Sequence, residues 1–577
     1  MKKTGAWLVR YALEQVGVRY TFGIPGVHNT EIYDELSISE LIEPILVTNE
    51  AGAAFMADAL SRTSDIVGAL VIVPAAGAAY ASAGIGEAYL DGVPMLVISG
   101  GIRTDVPYRY QLHDMDQLAM MAPITKKTYK ITDHKQIIPA IFEAYELAIS
   151  GEPGPVFIEV PVNLQLFTAD ISDLPVYTPR NEPSEVDDEI LNSIVEMLLK
   201  AKNPGLFVGW GARNATEFLI PIAERLNAPV ATTLQGLSVF PGNHALHTGM
   251  GFGPSSVPAA EHAFKNCDCM LAIGTRFGEI PTGSFGVKVP ENLIHIDINP
   301  QVFHANFPAK ITLEGDAKVV LERLSLELSK RPIPKNSRSG VQSQIKKDKT
   351  EYFESWSEHD SGERVNPYLF FKSLRQQLGD DDFIVVDDGN HTFLTAELMP
   401  IHHSKGFISP TDFNCMGYCV PAVIATKLAH PQRQVVGIIG DGAFTMTCME
   451  ILTASTLKLG GIFFVFHDGE LSQISQAQEI PYNRKTCSVI GKLDVSGVAR
   501  ATGARFLALE TNDDIDEVIM KALDFGANQT PVLVDVNIDY SKRTRFTEGI
   551  VKTNLKRFDL GTKARFIGRA LVRKVSG

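Results

Sequence analysis

Short apolar runs alternate with longer segments of helical spacing along most of this chain. The runs Leu70–Ala76 and Val435–Ile439 have the length of buried strands, and each leads into a segment with apolar residues at helical intervals. A further run, Ile462–Phe466, ends at once in His467-Asp468-Gly469. Strands that alternate with helices predict βαβ units and parallel sheets. Such sheets bind ligands at the carboxyl ends of their strands, so the residues there are the first candidates for a site.

Two polar segments divide the chain into three units. Residues 177–188 are rich in proline and charge, and residues 331–348 are polar and basic without an apolar period, so both predict exposed linkers. A chain of 577 residues is also too long for a single core. We therefore predict an α/β protein with three Rossmann-like, doubly wound parallel-sheet domains. The predicted domains are residues 1–180, 188–330 and 362–541, and a basic tail follows at 542–577.

The tail differs from the rest of an acidic chain. It carries eleven Lys or Arg residues, and its segment ARFIGRALVRKV combines basic and apolar positions at helical spacing. Two interpretations stay open at this stage. The tail is either a helix that packs on the protein's own acidic surface, or a segment that binds a membrane surface or a partner.

Composition narrows the function classes. A formal net charge of −14 argues against nucleic acid as the main partner. No apolar stretch is long enough for a transmembrane segment. The six cysteines include no CxxC pair and are expected to be reduced, which favours the cytoplasm.

Two aspartates follow consecutive strands in the last third of the chain. Asp441 lies in Gly440-Asp441-Gly442, directly after one strand, and Asp468 follows the next. If the two strands are neighbours in a parallel sheet, both carboxylates reach one edge, where a helix N-terminus can also receive phosphate. Two carboxylates and phosphate oxygens form the oxygen shell that Mg²⁺ prefers. The alternative is that Asp468 only forms an Asp-Gly turn.

This spacing resembles the signature of thiamine diphosphate enzymes, and the similarity extends to about Tyr540. The chain looks like the branch that contains acetolactate synthase and pyruvate oxidase. The matching motifs are FGIPG at Phe22–Gly26, TNEAGAAFMADALSR at Thr48–Arg62, VPAAG at Val73–Gly77, DDGNHTF at Asp387–Phe393 and FNCMGYCVP at Phe413–Pro421. The resemblance implies that the first domain binds the pyrimidine ring of the cofactor and the third binds its diphosphate.

The same resemblance implies a role for each matching residue. Glu50 would hydrogen-bond the aminopyrimidine ring, the carbonyl of Asn414 would accept from the 4′-amino group, and Met416 would be an apolar wedge under the cofactor. Mg²⁺ would be held by Asp441, Asp468 and the carbonyl of Glu470. The residues expected to bind the cofactor are Glu50, Pro25, Gly77, Gly389, Asn390, His391, Asn414, Met416, Gly440, Asp441, Gly442, Ala443, Asp468 and Leu471.

The resemblance also implies an assembly. In the family, the glutamate that matches Glu50 and the aspartate that matches Asp441 come from different chains. We therefore expect a homodimer or homotetramer with active sites at the dimer interface. The central domain holds FAD in some relatives, and ADP or nothing in others, so FAD stays undecided here.

Two histidines and two departures from the family bear on the substrate. His28 falls where benzaldehyde lyase has a pocket histidine, and His113 falls where the family has a glutamine. We expect both to be catalytic proton carriers, with buried structural histidines as the alternative. Ile280 and Ala477 replace the Arg and Trp that biosynthetic acetohydroxyacid synthases use to select the second substrate. Without that Arg, a second oxoacid carboxylate would be left unpaired.

We predict a thiamine diphosphate-dependent enzyme that forms or cleaves carbon–carbon bonds of 2-oxo acids. An acetolactate synthase-like carboligase or decarboxylase with 2-oxo acid or aldehyde substrates fits best. The alternatives are a lyase or decarboxylase resembling benzaldehyde lyase, and a catalytically weak homologue that only binds the cofactor.

Overall fold

The computed structural model describes residues 1–180, 186–332 and 339–576, which fold into three α/β domains. Each domain is built on a six-stranded parallel sheet, as predicted. Helices cover these sheets, so their central strands are apolar along both faces, as in all five buried residues of Ile462–Phe466. The alternation of apolar runs with helical segments therefore predicted the fold class correctly.

The N-terminal domain contains strands β1 (Lys2–Thr4), β2 (Tyr20–Gly23), β3 (Glu43–Leu46), β4 (Gly68–Ile72), β5 (Met95–Gly101), β6 (Lys127–Lys130), β7 (Pro155–Pro161) and β8 (Thr168–Asp170). Its helices are α1 (Gly5–Gln15), α2 (Thr30–Ser37), α3 (Glu50–Thr63), α4 (Ala76–Leu90), α5 (Gln117–Met121), α6 (Ile137–Ile149) and α7 (Val162–Leu166). The sheet order is β3-β2-β4-β5-β7-β6, and a separate antiparallel pair, β1 and β8, joins the two ends of the domain.

The central domain contains α8 (Asp188–Lys200), β9 (Pro204–Val208), α9 (Thr216–Leu226), β10 (Val230–Thr232), β11 (His247–Met250), α10 (Pro258–Phe264), β12 (Cys269–Ile273), β13 (Asn292–Asp297), β14 (Ile311–Glu314) and α11 (Ala317–Ser329). Its sheet order is β11-β10-β9-β12-β13-β14. This is the Rossmann order, with the topological switch between β9 and β12.

The C-terminal part contains α12 (Val341–Ser357), α13 (Pro367–Gln377), β15 (Phe383–Val386), α14 (Asn390–Leu398), β16 (Phe407–Ile408), α15 (Cys419–Ala429), β17 (Val435–Gly440), α16 (Asp441–Thr447), α17 (Ile451–Thr456), β18 (Ile462–Phe466), α18 (Ser472–Tyr482), α19 (Val495–Thr502), β19 (Arg505–Leu509), α20 (Ile515–Ala527), β20 (Val532–Val536), α21 (Arg545–Arg557) and α22 (Leu560–Ser576). The sheet order, β16-β15-β17-β18-β20-β19, repeats that of the N-terminal domain strand for strand. These two sheets thus share a topology that differs from the Rossmann order of the central sheet.

The prediction of an exposed linker at residues 331–348 is wrong from residue 341 onward. That part belongs to α12, in which Ile345, Asp348 and Trp356 are buried. This helix packs on α10. Its buried apolar side includes Trp356, which lies beyond the end of the predicted linker. Residues 181–185 and 333–338 of the two predicted linkers lie outside the described residues.

The basic tail is helical and packs on the protein itself. The Arg545 guanidinium lies 2.6 Å from the Glu261 carboxylate of the central domain. Phe546 stacks on Phe393 of α14 with ring centroids 4.1 Å apart. Further along, the Arg573 guanidinium donates to the Tyr482 carbonyl of α18 at 3.0 Å. These contacts agree with the first interpretation of the tail. In the described part of the chain, no helix has the length and apolarity needed to cross a membrane.

Candidate functional site

Asp441 and Asp468 lie at the same edge of the C-terminal sheet. β17 and β18 pair in parallel with Gly440 opposite Phe466, so both strands deliver their following residues to one place. The Asp441 carboxylate accepts from the backbone N–H of Gly469 at 2.7 Å and from that of Asp468 at 3.2 Å. The adjacency that a shared ion requires is therefore present, and the chain bends directly after Asp468 at Gly469, whose φ is 78°.

This edge concentrates negative charge in a buried place. Burial raises the pKa of Asp441, and burial together with the charge of Asp441 raises the pKa of Asp468. The Glu470 side chain turns to the Lys485 ammonium at 2.6 Å, so Glu470 can offer an ion only its carbonyl oxygen. Among the described residues, no group of three His, Cys, Asp or Glu side chains could hold a metal. Two carboxylates with a carbonyl and ligand oxygens remain a set that suits Mg²⁺.

A cavity of about 230 Å³ opens directly above this edge. It is lined by every residue of the C-terminal domain that the sequence analysis assigns to the site, namely Gly389, Asn390, His391, Asn414, Met416, Gly440, Asp441, Gly442, Ala443, Asp468, Glu470 and Leu471. Asp388, Ser472, Gln473 and Tyr540 also line it and were not predicted. Ser472 donates its hydroxyl to the Asp468 carboxylate. Tyr540 lay too far from any motif to be found in the sequence.

The loop that carries Asn414 and Met416 is held from below by Asp387. This buried carboxylate accepts from the backbone N–H groups of Gly417 at 2.9 Å and Cys419 at 2.8 Å. Burial raises the pKa of Asp387 to about 7, and these amide donors oppose the rise. Asn414 adopts a positive φ of 64°, which gives the loop the sharp turn that exposes Met416 to the cavity. Asp387 begins the predicted motif Asp387–Phe393, but no role was predicted for its side chain.

Three features of the cavity fit a diphosphate-bearing ligand. α14 and α16 both begin at its wall, at Asn390 and Asp441, so backbone N–H groups of two helix N-termini are present. The Nε2 atom of His391 is buried without a hydrogen-bond partner among the described residues. A Cβ atom on Gly442 would lie 2.4 Å from Leu471 Cδ2, so only glycine leaves this close approach open. The donor set and the two carboxylates suit a diphosphate with Mg²⁺.

The second group of predicted residues lies in the N-terminal domain. Glu50 is the first residue of α3 and is 8% exposed, while Asn49 caps the helix by accepting from the Ala51 N–H at 2.8 Å. A Cβ atom on Gly77 would lie 3.2 Å from Glu50 Oε1, so Gly77 adjoins this carboxylate. Burial, and then the charge of Glu50, raise the pKa of Tyr33, which was not predicted. Pro25 is exposed in the loop that follows β2.

His28 and His113 come together in the same domain. Their ring centroids lie 5.0 Å apart, and the Nδ1 atom of each ring is buried without a partner among the described residues. Burial lowers the pKa of His28, and the neighbouring His113 lowers it further. Two imidazoles with unsatisfied nitrogens can exchange protons with a bound carbonyl compound. The catalytic role of His28 and His113 stays a prediction.

Among the described residues of a single chain, the two groups line no common cavity. All described residues that line the 230 Å³ cavity belong to the C-terminal part, and Glu50, His28 and His113 are absent from that lining. Large apolar side chains are exposed in the N-terminal domain at Val27, Tyr80 and Leu112. Others are exposed in the C-terminal domain at Met446, Met449, Leu452 and Ile474. Exposed apolar groups of this kind are typical of surfaces that bind another protein.

A separate cavity of about 270 Å³ lies at the carboxyl ends of the strands of the central domain. Residues that follow five of those strands line it: Trp210, Thr233, Thr275, Ile298 and Asp316. Burial lowers the pKa of its Arg213 to about 10 and raises that of its Asp297 to about 6. Ile280 also lines this cavity, whereas Ala477 is an exposed residue of α18. A ligand of the central domain would bind at this switch point.

Three family profiles match the chain in sequence order. "Thiamine pyrophosphate enzyme, N-terminal TPP binding domain" matches residues 3–120, and the central-domain profile of the same family matches residues 191–324. The "C-terminal TPP binding domain" profile matches residues 387–536. The chain belongs to the thiamine pyrophosphate enzyme family. Thiamine pyrophosphate is the cofactor called thiamine diphosphate above, so the predicted family is confirmed.

Relatives of this thiamine pyrophosphate enzyme align with it along nearly its full length. The acetolactate synthase large subunit of Buchnera aphidicola is 30% identical over 552 residues, which cover 93% of this chain and 95% of the relative. The probable acetolactate synthase large subunit of Methanocaldococcus jannaschii is 30% identical over 567 residues, with 93% and 92% covered. The acetolactate synthase isozyme 3 large subunit of Escherichia coli is 29% identical over 555 residues, with 93% and 95% covered.

Proposed function

We propose that this thiamine pyrophosphate enzyme forms or cleaves carbon–carbon bonds of 2-oxo acids, as an acetolactate synthase-like carboligase or decarboxylase. The carrying observation is the 230 Å³ cavity, because two aspartates and two helix N-termini converge in it. The names of the aligned relatives support the same reaction class.

When bound, thiamine diphosphate supplies a thiazolium carbon that adds to carbonyl groups and serves as an electron sink. The chain's own residues would bind and orient it. Asn390 and His391 would face the diphosphate, Asp441 and Asp468 would hold Mg²⁺, and Met416 would support the rings from below. The Glu50 carboxyl group would hydrogen-bond the aminopyrimidine ring nitrogen, and a buried carboxyl group at that position can exchange a proton with this nitrogen.

The same proposal includes an assembly in which two copies of the chain complete each site. Glu50 of one copy would meet the cavity of the other, since Glu50 is absent from the cavity lining of its own chain. The exposed apolar residues of both domains support burial of these surfaces between copies. A homodimer or homotetramer satisfies this geometry.

Two finer points belong to the proposal. The 270 Å³ central cavity would take a nucleotide such as ADP or FAD, because it lies at a Rossmann switch point and is lined by both Arg213 and Asp297. The absorbance spectrum of the purified protein distinguishes a flavin from ADP.

We also expect a cytoplasmic location, which the thiols Cys269, Cys415, Cys419, Cys448 and Cys487 support.

A second reaction, lyase or decarboxylase chemistry resembling that of benzaldehyde lyase, is favoured by one observation. The His28–His113 pair offers two imidazoles, and no guanidinium stands at position 280 to pair with a second oxoacid carboxylate. Such a site would accept an aldehyde more readily than a second oxoacid.

The test is a panel of 2-oxo acids, aldehydes and 2-hydroxy ketones, each alone and in pairs, with thiamine diphosphate and Mg²⁺ and with products identified by mass spectrometry. Ligation products from two 2-oxo acids support the first reaction. Cleavage of 2-hydroxy ketones, or products formed only with aldehydes, supports the second. Stoichiometric cofactor binding without turnover of any member would indicate a catalytically weak homologue and contradict both.

A further inference from the structure

The N-terminal and C-terminal domains of one chain also pack directly on each other. α3 packs against α15, and α4 lies against the loop that precedes α15. This contact differs from the contact between two copies that completes the proposed site. Two buried glutamates, Glu450 and Glu87, cross it in opposite directions.

Glu450 reaches from the C-terminal domain to the start of α3. Its Oε1 atom accepts from the backbone N–H groups of Thr48 and Asn49, each at 2.9 Å, and from the Thr48 hydroxyl at 2.6 Å. Its Oε2 atom accepts from the Thr453 hydroxyl at 3.1 Å. Because Glu50 follows these two residues, the carboxylate of Glu450 fixes the place from which the Glu50 side chain starts.

The segment that carries Glu450 begins at the predicted metal edge. Asp441 is the first residue of α16, and the turn Cys448–Glu450 follows that helix directly. At the end of α16, the Thr447 hydroxyl donates to the Gly417 carbonyl at 2.8 Å, just after Met416. A displacement of α16 would therefore reach both the Met416 loop and the start of α3.

Glu87 makes the opposite connection, from α4 to the Met416 loop. Its Oε2 atom accepts from the Cys415 N–H at 3.0 Å, and its Oε1 atom accepts from the Thr411 N–H at 3.1 Å. Burial and the neighbouring Asp91 raise the pKa of Glu87, whereas the buried Arg62 guanidinium, which pairs with Asp91 at 2.9 Å, opposes the rise. A Cβ atom on Gly86 would lie 2.6 Å from the Phe413 ring, which shows how closely the loop rests on α4.

We propose that Glu450 and Glu87 are positioning residues that couple the two half-sites carried by one chain. This inference rests on the proposed function. If each site takes Glu50 from one copy and the metal edge from the other, the two half-sites of one chain serve different active sites. Cofactor binding at the metal edge of a chain would then adjust the Glu50 that the same chain offers to the other site.

Hydrogen exchange with mass spectrometry on the full-length protein tests the coupling. The probe is Mg²⁺ with inorganic pyrophosphate, which can occupy the diphosphate half without reaching Glu50. In the wild type, we expect slower exchange at residues 389–391 and 441–443, and also several-fold slower exchange at residues 48–53. Glu450→Ala should keep the first effect and lose the second. Glu450→Gln should keep both, because the amide oxygen can still accept from Thr48 and Asn49.

The reciprocal variant separates positioning from general stability. Glu87→Ala should speed exchange at residues 413–418 and weaken thiamine diphosphate binding about 10-fold, with pyrophosphate affinity unchanged. The control is His430→Gln, since His430 contacts the Thr63 carbonyl at 2.9 Å across the same domain contact but touches neither half-site. It should behave as the wild type.

Two results would overturn the coupling: no change at residues 48–53 in the wild type when the probe binds, or a Glu450→Ala response equal to that of the wild type. A different result would refute the cofactor site itself. In that case, Mg²⁺ and pyrophosphate would slow hydrogen exchange at neither residues 389–391 nor residues 441–443, and both the cofactor site and the coupling would be refuted.

Discussion

Replacement of Asp468 tests whether this residue holds a metal or only forms a turn. Its carboxylate accepts from the Ser472 hydroxyl and from the Glu470 N–H at 3.3 Å, and it lines the cavity beside Asp441. Asp468→Asn keeps one carbonyl oxygen for an ion and relieves repulsion from Asp441, so we expect a loss of about 1 kcal/mol, or roughly fivefold, in cofactor affinity. Asp468→Ala removes the oxygen ligand and leaves two donors without an acceptor. There we expect a loss of about 3 kcal/mol, or more than 100-fold.

Isothermal titration with thiamine diphosphate at fixed Mg²⁺ measures both affinities, and the thermal midpoints of the cofactor-free proteins show whether the fold is intact. Asp535→Asn is the matched control, because Asp535 pairs with His467 Nδ1 at 3.0 Å at the same sheet edge but does not line the cavity. Equal affinity for thiamine diphosphate in the Asn and Ala variants would show that Asp468 only shapes the backbone and holds no metal. An equally weakened control would show that any carboxylate at this edge matters.

Three further changes have defined outcomes. Glu50→Gln should keep cofactor affinity within about threefold and lower turnover at least 100-fold, since only the proton carrier is lost; unchanged initial rates would exclude that role. His28→Ala and His113→Ala should each lower kcat/KM for aldehydes at least 10-fold, and equal losses with every substrate in the panel would indicate a structural pair. Burial raises the pKa of Glu397 to about 7, so the folded state holds a proton that the unfolded chain releases, and this stabilisation is lost as pH rises to 7. Between pH 5.5 and 8.0, the free energy of unfolding should therefore fall by about 2 kcal/mol less in Glu397→Gln than in the wild type. Thermal midpoints measured at the two pH values check this, and an identical pH dependence in both proteins would contradict the assignment.

Patterns of local sequence predicted the parts of the site that depend on strand adjacency. Asp441 and Asp468 could be paired because each follows a strand and consecutive strands of a βαβ unit are neighbours. The contact between Glu450 and Thr48 could not be predicted, because it joins residues 402 apart through the packing of two domains. The role of Asp387 depends on the conformation of a loop 30 residues away.

Two further outcomes show what local patterns and family resemblance can each predict. The linker prediction failed at residues 341–348 because the apolar side of α12 is completed only by Trp356, beyond the polar stretch that suggested a linker. The proximity of His28 and His113 followed from the family resemblance alone, since nothing in their spacing brings them together. Cofactor class was thus readable in motifs, whereas the contacts that orient the motifs depend on tertiary packing.

The most direct test of the account is complementation between two inactive variants. If a site combines Glu50 of one copy with Asp468 of another, a mixed dimer of Glu50→Gln and Asp468→Ala chains has one intact site and one doubly altered site. Random reassociation should then restore about a quarter of wild-type activity. If both residues act within one chain, every site keeps a defect. Activity that stays at the level of the separate variants, although mass spectrometry detects mixed dimers, would contradict the proposed site.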